Sequence, residues 1–482
     1  MNDFLDILKR INVDELLTVL SEESIKMGVE YSKTCPIWIK RRTLFQKENI
    51  LLTAWDVLDI AYYAVCNGTE IKNNNKVSIG GIVNLYRGFF DEQTKMEYLK
   101  ECSMEDVART FLGMTAEQFR FQKMNLCFEQ FNRNYHLLVT INKKTNRYYI
   151  DIPKAIESIL DMTVEEYIFA LLIVWWLASK TPLPMSGGSW EYIKSEKCDI
   201  EDKKVKKVIQ YYCCTYNEVK TTSIGRQLFY AKPFIKNEKN DSVVTVSYQL
   251  VTMLMGSGLY WIARDYYLKK QSSHFINSFG LIFEDYIKEL ANKYCLANEW
   301  EIIPQGKKKG ADYIFHFNSL SMLVESKSSL LKLNVKQQVP NLLSVKEFFE
   351  KTINEAYLQL NQSFEHFKDK VGNKIIKVIL LFDEFSNLAI IEKSHEKIFQ
   401  NDNSCFVMTI RHFEILLYLY ANDKIGFAKL VNEIFSSIES CSPKRNMDEI
   451  YEKLKLEENK HLSEGMDYFQ LMLDGLRTKL KK

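Results

Sequence analysis

The chain has 482 residues, 46% hydrophobic and 26% charged, with a formal net charge of +2. That length allows two or three domains with a sizeable core, and a near-neutral balance excludes a global basic field that would draw nucleic acid to the whole surface. Ten scattered cysteines with no C-x-x-C pair, and seven dispersed histidines with no H-E-x-x-H, give no support to a zinc site and are expected of a reduced, cytoplasmic protein.

The first residues, MNDFLDILKRINVDELL, predict an amphipathic helix with none of the basic start and apolar core of a signal peptide. Residues 1–180 read mainly as helix, with ENILLTAWDVLDIAYYAVC (48–66) at helical spacing and NGTEIKNNNK (67–76) as a polar loop. The most apolar run, YIFALLIVWWLA (167–178), is too short for the roughly 20 residues of a membrane span and predicts a buried helix, so no membrane partner is expected. TPLPMSGGS (181–189) is a breaker cluster and marks an internal boundary within residues 1–270. SVVTVSYQLV (242–251) alternates like a strand and precedes a helical stretch. Cys213 and Cys214 read as packing residues. No phosphate-binding G-x-x-x-x-G-K-[ST] sequence occurs, so residues 1–270 are assigned by exclusion to recognition, sensing or assembly.

From about residue 275 the pattern changes. FGLIFEDYIKELANKY predicts an amphipathic helix. Two short strand-like runs follow in GADYIFHFNSLSMLVESKSS (310–329). SVKEFFEKTINEAYLQLNQSFEHF (344–367) predicts a long helix opened by a Ser344–Glu347 capping box. IIKVILLF (375–382) predicts a strand buried on both faces, and NLAIIEK and CFVMTI offer further strands. The tail from about 411 reads as helical, with DEIYEKLKLEENKHL solvated. The middle of the chain is therefore an α/β layer, residues 271–415, between a mainly helical region 1–270 and a helical tail 416–482.

Strand alternation puts Glu325 and Lys327 on one face. If Asn318 and Ser319 form a two-residue turn, Asp312 pairs with Glu325; a four-residue turn instead puts Asp312 opposite Lys327. Two opposed carboxylates repel, and a divalent cation relieves that repulsion while leaving positions for phosphate oxygens. A lysine two residues on supplies a compact positive charge beside the same phosphate. The E-x-K triplet alone is unspecific, since it recurs at Glu70–Lys72, Glu218–Lys220 and Glu458–Lys460. Only Glu325–Lys327 ends an apolar strand that follows another strand opening on an acid.

With Asp312 in GAD and Glu325 and Lys327 in VESK, the stretch resembles the PD-(D/E)XK, or restriction-endonuclease-like, nuclease superfamily. Ala311 stands where that family has proline. The resemblance covers about residues 275–415. It implies a metal site of Asp312, Glu325 and Glu284, the last from FGLIFEDY, with Glu289 as its rival on the same helix. It also implies a catalytic glutamine on the next helix, Gln359 in preference to Gln362. The expected activity is a Mg2+- or Mn2+-dependent endonuclease on DNA, in preference to RNA. A role in restriction or antiviral defence follows by fold analogy, with a homo-oligomer or a companion defence protein as partner. Lys307, Lys308 and Lys309, between two glycines, are candidate backbone-phosphate contacts. His316 is expected to have an ordinary structural partner. The other reading is a nuclease-fold module without catalysis that binds nucleic acid or assembles a complex.

Overall fold

The computed structural model describes residues 2–29, 37–42, 47–69, 78–98, 125–144, 148–179, 202–236, 243–304, 309–330, 342–369, 371, 374–382, 399, 402–440 and 447–480. The breaker cluster at 181–189 and the strand expected at NLAIIEK lie outside them. No helix among the described residues is long and apolar enough to cross a membrane.

The amino-terminal stretch forms two helices rather than one, α1 (Asn2–Leu8) and α2 (Val13–Val29). Asn12 separates them: its side-chain oxygen accepts the Glu15 N–H at 3.0 Å, and its backbone bridges to Thr69. The helix expected over 48–66 is also divided. Lys47–Leu52 is strand β2, antiparallel to β1 (Ile37–Arg42), and helix α3 starts only at Ala54 and runs to Asn67. A capping box explains the late start, since Thr53 and Asp56 exchange side-chain-to-backbone hydrogen bonds that satisfy free N–H groups of the first turn.

Helix α4 (Asn125–Tyr135) continues into a π-helical segment, His136–Ile141. Helix α5 (Val164–Ala178) is the apolar run, and it is buried on most faces. A small sheet joins β3 (Cys213–Thr215), β4 (Phe234–Lys236) and β5 (Val243–Thr245) in that order. Strand alternation at 242–251 ends early, because Tyr248 opens the 22-residue helix α6 (Tyr248–Lys269). Burial pushes the Cys213 thiol up to about 12 and the Cys214 thiol up further, so both act as packing groups.

Helix α7 (His274–Tyr294) leads into the five-stranded sheet. Strands β6 (Trp300–Ile302), β7 (Tyr313–His316) and β8 (Leu320–Lys327) form an antiparallel meander; β9 (Lys374–Leu381) and β10 (Cys405–Thr409) extend it in parallel, giving the order β10-β9-β8-β7-β6. Between β8 and β9 lies α8 (Glu355–Phe367), preceded by helix Leu342–Phe348 and a π-helical turn. The helix thus starts before Ser344, and Glu347 pairs with Lys351 at 2.8 Å.

Side chains of alternate parity leave the sheet on opposite faces. Tyr313, Phe315, Met322, Val324, Ile376 and Val378 pack with α7 and with α9 (Ile410–Asn422). Ile314, Leu323, Ile379 and Val407 pack with Ala356, Tyr357 and Leu360 of α8. The architecture is α/β, one sheet between helical layers. The first of these clusters runs on from Phe131 to Phe469, so residues of all three chain segments share it. The charged tail is more than a solvated face: Ile450, Tyr451, Asn459 and His461 are buried.

Candidate active site

The hairpin of β7 and β8 closes at Phe317 and Leu320, whose N–H groups donate to each other's carbonyls at 2.8 and 3.3 Å. Asn318 and Ser319 are therefore the two-residue turn, and the four-residue alternative does not form. The register runs from His316↔Ser321 to Tyr313↔Val324. Beyond that register the Asp312 N–H donates to the Val324 carbonyl at 2.9 Å, which holds Asp312 against the end of β8, close enough for its charge to act on Glu325. Glu325, two residues on from Leu323, belongs to the face covered by α8.

Each carboxylate is held differently. Asp312 Oδ2 accepts the Ser326 N–H at 2.8 Å and the Ser326 hydroxyl at 2.7 Å, which fixes the group and leaves Oδ1. Glu325 is 3% exposed. Its Oε1 accepts from Lys327 Nζ at 2.6 Å, while its Oε2 is buried with no hydrogen-bond partner among the described residues. Burial, and next the charge of Asp312, push the Glu325 carboxyl up to about 7, against the opposing pull of Lys327 and Lys309. Lys327 Nζ also donates to Gln359 Oε1 at 3.0 Å. Gln359 on α8 thus joins the cluster, whereas Gln362 is exposed.

Glu284 comes from the other helical layer. It is half-buried on α7, its carbonyl accepts the Tyr313 hydroxyl at 3.3 Å, and its charge, with that of Asp312, helps raise that hydroxyl's pKa after burial. One turn earlier a Cβ on Gly280 would lie 3.4 Å from the Ser328 hydroxyl, so the helix passes the end of β8 closely. The rival Glu289 is committed elsewhere, to His136 at 2.6 Å and Lys144 at 3.6 Å. Among the described residues no group of three or more His, Cys, Asp or Glu side chains converges as metal ligands. The structure brings Asp312, Glu325, Lys327 and Gln359 together, and Glu284 stands beside them without completing a three-carboxylate cluster.

Lys309 is exposed and acts electrostatically on Glu325; Lys307 and Lys308 lie outside the described residues. His316 meets the Ser321 hydroxyl at 3.3 Å, an ordinary strand partner.

Three supporting residues escaped sequence reasoning. Ser326 sits inside the E-x-K triplet, where alternation assigns it the opposite face and no role. Ser363 of α8 accepts the Ala311 N–H at 2.8 Å, and a Cβ on Gly310 would meet its hydroxyl at 2.6 Å. The glycine of GAD is thus needed for the close approach of chain to helix, and it was the available signal. Lys377 is buried in β9, pairs with Asp402, and donates to Asn361 at 2.7 Å, two residues from Gln359.

The donor set suits a hard cation. Mg2+ takes one or two carboxylates and completes its shell with water and phosphate oxygens. Asp312 and Glu325 provide two neighbouring carboxylates, one with a buried oxygen that nothing among the described residues satisfies. No model of a known protein family matches the chain, and no curated protein or solved structure matches it.

Proposed function

We propose that the chain is a metal-dependent endonuclease of the PD-(D/E)XK type that hydrolyses phosphodiester bonds in DNA, in preference to RNA. The observation that carries this reading is the buried Oε2 of Glu325, unpartnered among the described residues, in a carboxylate close to Asp312 and bonded to Lys327. An unmet buried acceptor costs roughly 1–3 kcal/mol, a cost that a bound cation would offset at this carboxylate, which is 3% exposed.

Asp312 and Glu325 would hold Mg2+ or Mn2+, with Glu284 reaching the same end of the sheet from α7. When bound, the cation supplies Lewis-acid stabilisation of the charge on the phosphate oxygens. The chain's own residues do the rest. Ser326 fixes the Asp312 carboxylate. Gln359 and Glu325 aim the Lys327 ammonium at the space beside the carboxylates, where it donates to a phosphate oxygen as charge develops there. Lys309 draws the backbone toward the site. The placement in restriction or antiviral defence, with a second copy or a companion protein, remains part of this proposal by analogy of fold.

The test is plasmid nicking with Mg2+ or Mn2+, repeated with excess chelator. Nicking that stops with the chelator and returns with added metal is the expected result. A protein that binds DNA but leaves it intact under every metal tried would instead be the non-catalytic module.

A further inference from the structure

Away from the sheet end, a recess of about 380 Å³ opens between α6, the helix Asp202–Tyr211 and the short helix Leu228–Ala231. That volume lies in the range of small-molecule sites. Its floor is apolar and buried, from Met253, Leu254 and Ile262. Its walls carry three half-buried aromatic side chains, Tyr211, Tyr230 and Trp261. One carboxylate lines it, Asp265, one helical turn from Trp261, and Tyr211 donates to that carboxylate only weakly, at 3.4 Å. Two lysines complete the lining: Lys232, which pairs with Glu218 at 2.8 Å, and the exposed Lys269.

These groups are not what a folding core needs. A surface helix satisfies its polar face with water and loses nothing by an alanine at 265, whereas here an aromatic recess surrounds a carboxylate. Burial raises the Asp265 carboxyl above its ordinary range, with Lys269 and Tyr211 pulling it back. A protein pays for such a group only where something donates to it. The lining reads as three complementary functions. Aromatic faces stack on a flat heterocycle. A carboxylate accepts from adjacent N–H groups with both oxygens. Lysines at the open side hold a phosphate as point charges.

We propose that this recess binds a purine mononucleotide, with guanine preferred. The rings of Tyr211, Tyr230 and Trp261 take the base, Asp265 accepts from its N–H edge, and Lys269 with Lys232 takes the phosphate. Guanine is preferred because its ring N–H and exocyclic amino group lie side by side on one edge. Adenine offers a single amino group on the corresponding edge, and cytosine has a smaller stacking face. The site is independent of the cleavage chemistry, although its wall continues toward it. Tyr260, beside Trp261, packs edge-to-face on Phe275 and Phe279 of α7 at 5.0 Å each, on the helix that carries Glu284.

The experiment is calorimetric titration of the full chain, without DNA or divalent metal, using GMP, AMP, CMP and inorganic phosphate as separate probes. Saturable GMP binding below about 1 mM is expected, with AMP weaker, CMP weaker still and phosphate alone weakest. Asp265→Asn keeps the side chain's shape but replaces one acceptor oxygen with a donor, and it should weaken GMP at least about tenfold. Trp261→Leu should weaken all three nucleotides together. Melting temperatures confirm that each variant is folded, and the Asp265→Asn variant carries the test if Trp261→Leu is not. The proposal is overturned if phosphate binds as tightly as GMP, if Asp265→Asn titrates like the parent, or if no nucleotide binds at 1 mM.

Discussion

Two buried glutamates, one on helix α9 and one on strand β8, are treated in opposite ways. Glu414 on α9 is fully buried and completely answered. Arg133 from α4 meets it with two parallel hydrogen bonds of 2.7 and 2.8 Å, the Tyr286 hydroxyl donates at 2.6 Å, and Asn459 donates at 2.5 Å. Burial alone would raise its carboxyl, but Arg133 and then the other partners outweigh it and hold the group below its usual range. Glu325 is nearly as buried, yet one oxygen has only Lys327 and the other has nothing among the described residues. Its carboxyl is pushed up to about 7. Burial is the same cost in both places; what differs is whether the fold supplies the compensation. At Glu414 it does, and the group ties the helical region, the sheet's helix layer and the tail into one hub. At Glu325 the described residues answer one oxygen and leave the other unmet.

The same substitution at both positions separates the two roles. Glu414→Gln should produce the largest loss. It leaves the Arg133 guanidinium, 2% exposed, without its counter-charge, and breaking a buried pair in this way costs about 3–5 kcal/mol. Urea unfolding at neutral pH measures it, and a variant as stable as the parent would mean that the hub is not a structural tie.

Next in size is Lys327→Ala, read in cleavage rather than in stability. Loss of one preorganised donor to a developing charge is worth roughly 3–4 kcal/mol, or several hundredfold in a single-turnover nicking rate. DNA binding should change little, because it draws on many cations. Equal nicking by variant and parent would remove Lys327 from the mechanism.

Glu325→Gln should act in the direction opposite to Glu414→Gln. A carboxyl whose folded pKa lies above its unfolded value adds stability below the unfolded pKa, and that stability is lost as pH rises through the folded pKa. For Glu325 the window runs from about 4.5 to about 7. The metal-free parent should therefore weaken relative to Glu325→Gln across it, and at pH 8 the variant should be the more stable by at most about 3 kcal/mol. His461, whose pKa burial lowers to about 4, titrates with the opposite sign between its folded value and its unfolded 6.5. The difference between variant and parent cancels that contribution. A variant less stable than the parent at pH 8 would put Glu325 in the same class as Glu414. Metal should stabilise the parent and not the variant.

The contrast also explains what the sequence made legible. Glu325 and Lys327 could be placed because a two-residue turn and strand alternation are local rules, and local rules survive folding; the paired register stops at Tyr313, one residue short of Asp312. The resemblance implied a glutamine on the next helix, and that helix's own periodicity chose Gln359 over Gln362. The Arg133–Glu414 pair could not be read, since its partners lie 281 residues apart and nothing in either neighbourhood encodes the other. The tail misled for the same reason: Asn459 and His461 sit in a charged run, and only tertiary contact with Glu414, Tyr286 and Tyr294 buries them. Helix starts were missed where a side chain, rather than periodicity, decides them, as Thr53 and Asp56 do for α3. Glu284 is intermediate: its helix was legible, but its approach to the sheet end depends on Gly280 passing Ser328.

The smallest effect tests how far the electrostatics of the site reach. Lys309 is exposed, and its charge lowers the Glu325 carboxyl only after burial, Asp312 and Lys327 have set it. Screening at physiological salt limits such an exposed charge to a Debye length of about 8 Å. Lys309→Ala should therefore leave the fold unchanged and move the nicking rate by no more than a few-fold. If Lys309 touches a backbone phosphate, the slope of log binding constant against log salt should fall by about 0.9. Binding titrations at several salt concentrations measure that slope, and the nicking pH profile measures the coupling to Glu325. With Lys309 gone the carboxyl should ionise at a slightly higher pH, so the alkaline gain in metal-dependent nicking should shift upward. A changed salt slope with an unmoved pH profile would make Lys309 a substrate contact alone. A moved profile with an unchanged slope would place it within the electrostatic shell of Glu325 and away from the DNA.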